Sequence, residues 1–196
     1  MKCKVCGSEN VTVDYDGIIR NGGLGEYTDH PVKMYRCKEC RVIWHEPILE
    51  NESYYETSEY REKLEGTTAE ADFYKMHDKD NLDKFTYTGT TIFRNKKVAD
   101  IGCGAGAFLD FVSGASEEVV AIEPSMVYRN AMEKKGYHTY AYAEDAIRDY
   151  KGKIDVATSF DVIEHVERPW DFLKDIFMLL QVGGYQSLVR QLKLQL

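Results

Sequence analysis

Val98-Ala99-Asp100-Ile101-Gly102-Cys103-Gly104-Ala105-Gly106-Ala107-Phe108-Leu109-Asp110 is the stretch on which the fold turns. Its first four residues are an apolar run broken by one acid, the pattern of a strand buried on both faces. Three glycines then alternate with small residues, and Ala107–Val112 reads as a helix. Glycine lets a backbone turn sharply and approach a ligand with no side chain in the way. Glu123 stands 21 residues after Gly102, at the end of the next apolar run. A carboxylate there can accept hydrogen bonds from ribose hydroxyls. Gly102-x-Gly104-x-x-Ala107 formally satisfies the dinucleotide pattern, so a nicotinamide enzyme is one candidate. Asp100 weighs against it. An acid just before the loop would face a pyrophosphate and be repelled, whereas a phosphate-free cofactor with a cationic amine suits a carboxylate.

Downstream, strands and helices alternate. Glu118–Ile122 reads as a second strand, residues 125–135 as a helix ended by Gly136, residues 137–142 as a third strand and Ile154–Phe160 as a fourth. Residues 169–180 read as a helix with Pro169 near its first turn and Gly183-Gly184 just beyond its end. The alternation predicts an α/β protein with a mostly parallel sheet covered by helices on both faces. Three zones follow: residues 1–48 with short strands and turns, a polar and helical linker or lid at 49–95, and the α/β domain at 96–196. Thr67-Thr68-Ala69-Glu70 fits a capping box opening a helix in the linker, and Tyr54, Tyr55 and Tyr60 are candidates for aromatic lid contacts.

Four of the five cysteines lie in the first zone, as Cys3-x-x-Cys6 and Cys37-x-x-Cys40. Two thiolates at this spacing bind one ion from a tight turn, and two such turns complete a tetrahedral sulfur site that favours zinc. Four cysteines fill the shell and leave no position for water, so the expected role is structural. A module of about 50 residues with little apolar core needs such a staple. His30 and His45 lie nearby and read as ordinary surface histidines. The bland alternative is four unrelated thiols or disulfides.

Composition narrows the function. The chain has 196 residues, 43% hydrophobic and 30% charged, with net charge -8 and a pI of about 5.2. An acidic surface repels phosphate backbones and counts against nucleic acid as the main partner. No run approaches the roughly 18 apolar residues of a membrane span, and the N-terminus has no apolar signal core. A cytoplasmic location is the expectation, with reduced cysteines.

Residues 98–110 (VADIGCGAGAFLD), 119–125 (VVAIEPS) and 160–166 (FDVIEHV), followed by a helix and Gly183-Gly184, resemble the ordered motifs of class I S-adenosylmethionine-dependent methyltransferases. The resemblance covers about residues 90–185 and implies a Rossmann-like fold. It implies that Asp100, Gly102, Gly104 and Gly106, with Cys103 as small filler, line the methionine moiety, and that Glu123, with Pro124 and Ser125 beside it, holds the ribose. It further implies that Ala143 and Glu144, with Asp145, border the adenine, and that Phe160 and Asp161 close the cofactor floor. The cysteine knuckles are similar to the N-terminal zinc-binding region of sugar C-methyltransferases and surface-polysaccharide gene products. That likeness suggests a sugar or sugar nucleotide as small-molecule acceptor. His165, after the fourth strand, is the best single candidate for a base; packing or hydrogen bonding at the cofactor rim is its ordinary reading.

The tail departs from that family. Only residues 185–196 remain for a fifth strand, a helix and an antiparallel pair, so an incomplete C-terminal sheet is expected, with Gln191-Leu192-Lys193-Leu194-Gln195-Leu196 as an edge strand open to self-association. The competing functions are a zinc-ribbon RNA methyltransferase, a catalytically degenerate cofactor-binding interaction protein, and the nicotinamide dehydrogenase.

Overall fold

A computed structural model describes residues 1–20, 25–46, 55–57, 62, 66 and 69–189. The chain divides into two compact units: one holds Met1–Gly66 with Arg168–Trp170, and the other starts at Thr67, runs to Glu167 and resumes at Asp171.

The first unit contains a three-stranded antiparallel sheet of β1 (Val11–Gly17), β2 (Val32–Cys37) and β3 (Ile43–His45), in that order. Among its described residues the buried apolar side chains are Val32, Cys3 and Cys37.

In the second unit α1 (Glu70–Thr88) precedes β4 (Lys97–Ile101), α2 (Ala107–Val112), β5 (Glu118–Ile122), α3 (Met126–Lys134), β6 (His138–Tyr140), α4 (Ala143–Tyr150), β7 (Ile154–Phe160), α5 (Pro169–Leu179) and β8 (Leu180–Val189). The sheet order is β6-β5-β4-β7-β8 and every pair is parallel. Parallel neighbours need crossovers, and the intervening helices supply them. The two faces bury separate cores. One joins Ala99, Ile101, Val120 and Ile122 to Ala143, Ala146, Ile176 and Leu179; the other joins Val98, Ala121 and Val156 to Phe93, Phe108, Leu109 and Met132. This is the Rossmann-like, doubly covered sheet that the alternation predicts.

Several elements differ from expectation. Ala143 and Glu144 open helix α4, in a stretch after the third strand to which the sequence pattern assigns no element. Asp145 accepts the Tyr142 N–H at 3.0 Å and so serves the start of that helix. Helix α1 begins at Glu70 with Ala69 as its cap residue; Thr67 and Thr68 of the expected capping box lie outside the described residues. Gly183-Gly184 do not follow a helix end as a loop. They sit within β8, where residues 181–184 bulge opposite Asp155 between the Ile154↔Leu180 and Val156↔Tyr185 pairs. The sheet therefore has its fifth parallel strand despite the short tail. Tyr54, Tyr60 and the edge-strand sequence from Gln191 to Leu196 lie outside the described residues.

Candidate cofactor site and cysteine cluster

In open parallel sheets, ligands bind beyond the carboxyl ends of the strands where the strand order reverses. Here that crevice lies between β4 and β7, and the glycine loop leaves β4 beside it. Gly102, Gly104 and Gly106 have φ of 78°, 58° and 85°, a region that a Cβ disfavours. Space favours glycine as well: a Cβ on Gly102 would run into the Val162 side chain and one on Gly104 would lie 2.5 Å from Phe73 Cζ, so those side chains would have to shift.

The loop and Glu123 are joined directly. Gly104 N–H donates to Glu123 Oε2 at 2.9 Å, and Ser125 N–H donates to Oε1 at 3.0 Å. Glu123 is only 7% exposed. Arg129, on α3, donates to the carbonyls of Glu123 and Pro124 at 2.6 Å each, which fixes the turn carrying the carboxylate. An ionised carboxylate offers about four acceptor positions, so two backbone bonds orient the group without exhausting it.

Asp100 is 3% exposed and accepts the Thr158 hydroxyl at 2.7 Å. Burial raises its pKa to about 7, against the Thr158 hydrogen bond and the field of Lys84, with Glu123 adding to the rise. The Cys103 thiol is buried against Met132 Sδ at 3.6 Å, and burial with the two nearby acids pushes its pKa well up. It is a filler with little thiolate character.

Around the loop, Phe160 packs edge-on to Phe108 with ring centroids 4.8 Å apart, so its side chain belongs to the core. Asp161 has φ of 56° and pairs with Lys84 Nζ at 3.0 Å. Ala143 and Ser125 are buried, whereas Glu144 is exposed. His165 is exposed on a single 3-10 turn, Ile163–His165, with its N–H on the Val162 carbonyl at 2.8 Å. The structure thus joins Gly104, Glu123 and Ser125 in one bonded group, with Asp100 bonded to Thr158 and near enough to feel the Glu123 charge.

Sequence reasoning missed the contribution of α1. Lys84, with a side chain 16% exposed, lies 5.2 Å above the Phe160 ring and pairs with Asp161. Phe73 covers Gly104, and the Tyr74 hydroxyl donates to the Ala105 carbonyl at 2.7 Å. Along 73–85 the only Phe or Tyr residues are Phe73, Tyr74 and Phe85, and the acids and lysines between them leave no regular aromatic spacing to read.

The cysteine knuckles are built alike. Gly7 N–H reaches Cys3 O at 3.1 Å and Arg41 N–H reaches Cys37 O at 3.0 Å. The residue closing each turn is left-handed, with φ of 73° and 63°. All four Sγ atoms lie within 4.8 Å of one another, with Cys3···Cys40 and Cys6···Cys37 both 3.6 Å. Zinc–sulfur bonds of about 2.3 Å in a tetrahedron imply sulfur separations of about 3.8 Å, close to those seen. Disulfide sulfurs would lie about 2.05 Å apart, and all five cysteines are free. Burial opposes ionisation of Cys3, but the Cys6 and Val5 amides aimed at its sulfur bring its pKa down to about 7. His30 and His45 are outside this cluster, bonded to Asp29 and the Glu46 carbonyl.

Fold and site together define a methyltransferase-type α/β domain. The chain belongs to the family described as "Methyltransferase domain", whose model matches residues 72–193. Ubiquinone biosynthesis O-methyltransferases are similar to it. That of Maricaulis maris (strain MCS10) is 28% identical over 109 residues, covering 52% of this chain and 43% of the relative, and that of Caulobacter sp. (strain K31) is 32% identical over 104 residues, covering 49% and 41%. The chain spans less than half the length of these relatives. Among solved structures, a SAM-dependent methyltransferase from Aquifex aeolicus superposes with a TM-score of 0.50 at 20% identity, covering 62% of this chain and 72% of that one, a likeness of fold. No helix among the described residues is long and apolar enough to cross a membrane.

Proposed function

We propose that this chain binds S-adenosylmethionine at the carboxyl ends of β4, β5 and β7 and transfers its methyl group to a small-molecule acceptor. The observation that carries the reading is the Gly104 N–H···Glu123 bond of 2.9 Å, which places the ribose-binding candidate against the glycine loop. The buried Glu123 carboxylate suits a hydroxylated ligand and opposes a pyrophosphate. S-adenosylmethionine, when bound, supplies a methyl group activated by a sulfonium for in-line displacement. The residues position it: Glu123 accepts the ribose hydroxyls, Asp100 and the glycine backbone face the amino-acid arm, and Ala143 and Glu144 border the base. His165, on the exposed turn after β7, is the base candidate where the acceptor must lose a proton.

The proposed layout is a zinc ribbon at 1–48, a helical linker at 49–95 and the cofactor domain from 96. Cys3, Cys6, Cys37 and Cys40 hold one structural zinc, supported by the sulfur separations and the matched turns. A sugar or sugar nucleotide is the acceptor class that the cysteine knuckles suggest by resemblance. The names of the curated relatives favour a second class, a hydroxyl acceptor of O-methylation. A panel of both acceptor types with S-adenosylmethionine decides between them, and no transfer to any of them favours the binding-only reading.

Isothermal titration with S-adenosylhomocysteine and with NAD tests the cofactor. Binding of the former alone is expected, and Glu123→Ala should weaken it by about 1.5–3 kcal/mol, the range for hydrogen bonds to a charged group. NAD binding without S-adenosylhomocysteine binding overturns the assignment.

A further inference from the structure

The glycine loop is anchored from two sides, and only one anchor belongs to the cofactor site as described. Glu123 takes the N–H of Gly104. From the other side, the Tyr74 hydroxyl of α1 donates to the carbonyl of Ala105 at 2.7 Å. Between these anchors lie peptide units flanked by Gly104 and Gly106, both at positive φ. Glycine visits positive and negative φ about equally, so rotation of the Ala105–Gly106 peptide has little intrinsic cost. Its orientation depends on what its ends touch: Gly106 N–H on the Cys103 carbonyl at 3.0 Å, and the Ala105 carbonyl on Tyr74.

A second layer sets the direction of the Tyr74 proton. Lys135 Nζ donates to the Tyr74 hydroxyl oxygen and lies 4.4 Å from the ring centroid. An ammonium has donors and no acceptor, so the phenol meets it with a lone pair and turns its O–H toward Ala105. Lys135 is held by Asp110 Oδ2 at 2.8 Å, and Asp110 Oδ1 takes the Tyr137 hydroxyl at 2.6 Å. Burial works against the Lys135 charge, but Asp110 and Tyr74 outweigh it and raise its pKa above the ordinary lysine value.

We propose that Tyr74, oriented by Lys135 and Asp110, is a positioning residue that holds the glycine loop in the shape the adenosyl ligand requires, so that α1 controls cofactor affinity through one carbonyl. This rests on the cofactor reading above.

The test uses the full zinc-loaded chain with Y74F, K135M and the control Y137F, which leaves the Tyr74–Ala105 bond in place. S-adenosylhomocysteine affinity should fall about tenfold in Y74F and about threefold in K135M, and stay within twofold in Y137F. 5′-Methylthioadenosine, which lacks the amino-acid arm, should bind Y74F as it binds wild type. Amide exchange of the segment 101–109 should quicken at least tenfold in Y74F without ligand. Unchanged exchange in a folded Y74F overturns the proposal, as does equal loss of both ligands. If wild type binds no adenosyl ligand, the cofactor reading fails and the exchange arm alone decides whether the latch exists.

Discussion

Asp100 is an acid held against its own preference. Its ordinary pKa of 3.8 rises to about 7 through burial, so between these values the unfolded chain ionises this group while the folded chain keeps it protonated. The folded state then binds more protons, and stability from this residue falls as pH rises from about 4 to about 7 and is flat above. Asp100→Asn keeps an oxygen for the Thr158 hydroxyl and has no charge to suppress. Urea unfolding across pH 4–8 should show the variant gaining on wild type by a few kcal/mol, with the change complete near pH 7. Parallel curves would mean that the acid is ionised throughout. The cluster around it was largely legible: Asp100, the three glycines and Glu123 carry their chemistry in local spacing, because a strand-turn-helix is a short-range object. Lys84 and Tyr74 were not legible. Each lies on α1, more than ten residues upstream of β4, and such contacts leave no spacing rule.

Among the elements, β8 shows how a correct motif can carry the wrong conformation. Gly183-Gly184 read as a helix stop, since glycines are common there. The structure uses them for a bulge, a device that also needs glycine. A Cβ on Gly184 would stand 3.0 Å from the Gln181 carbonyl oxygen and 3.2 Å from those of Asp155 and Ile154. Backbone atoms cannot step aside as a side chain tip can. Gly184→Ala should therefore destabilise the domain by about 1–3 kcal/mol, measured by urea unfolding, while Gly114→Ala, with open space around its Cβ, should not. Equal effects would remove the steric account. Helix α4 was within reach of periodicity: Ala143, Ala146, Ile147 and Tyr150 fall on one face at helical spacing and pack on the sheet. Ala143 and Glu144, ligand neighbours by resemblance, are the first two residues of that helix.

At the scale of the whole molecule the two units rest on different physics. The α/β unit buries two apolar layers, one on each face of the sheet. The ribbon has almost no such layer, and its four sulfurs stand within 4.8 Å of one another. Metal analysis should return one zinc per chain. Its removal by a chelator should abolish amide protection across Val11–Gly17 and Val32–Cys37, as expected where metal binding supplies the folding energy. Protection surviving in the metal-free chain would show the sheet to be self-sufficient. The class of the α/β unit was readable because alternating strands and helices permit few topologies. The gathering of the four cysteines was readable from spacing, while the sheet, built from polar and mostly exposed strands, gave little apolar pattern to follow.

The pairing of β4 with β7 has a consequence for the order of events during synthesis. Val98 pairs with Val156, and Thr158 supplies the hydroxyl that meets Asp100. A nascent chain that has emerged only as far as Tyr150 contains the glycine loop, β5 and Glu123, but neither β7 on the other flank of β4 nor the partner of the buried acid. The vacant flank of β4 must wait for about fifty more residues of translation after the loop, so the crevice between β4 and β7 cannot exist before then. A ligand that needs both flanks of β4 has no complete crevice to enter until β7 has paired with it.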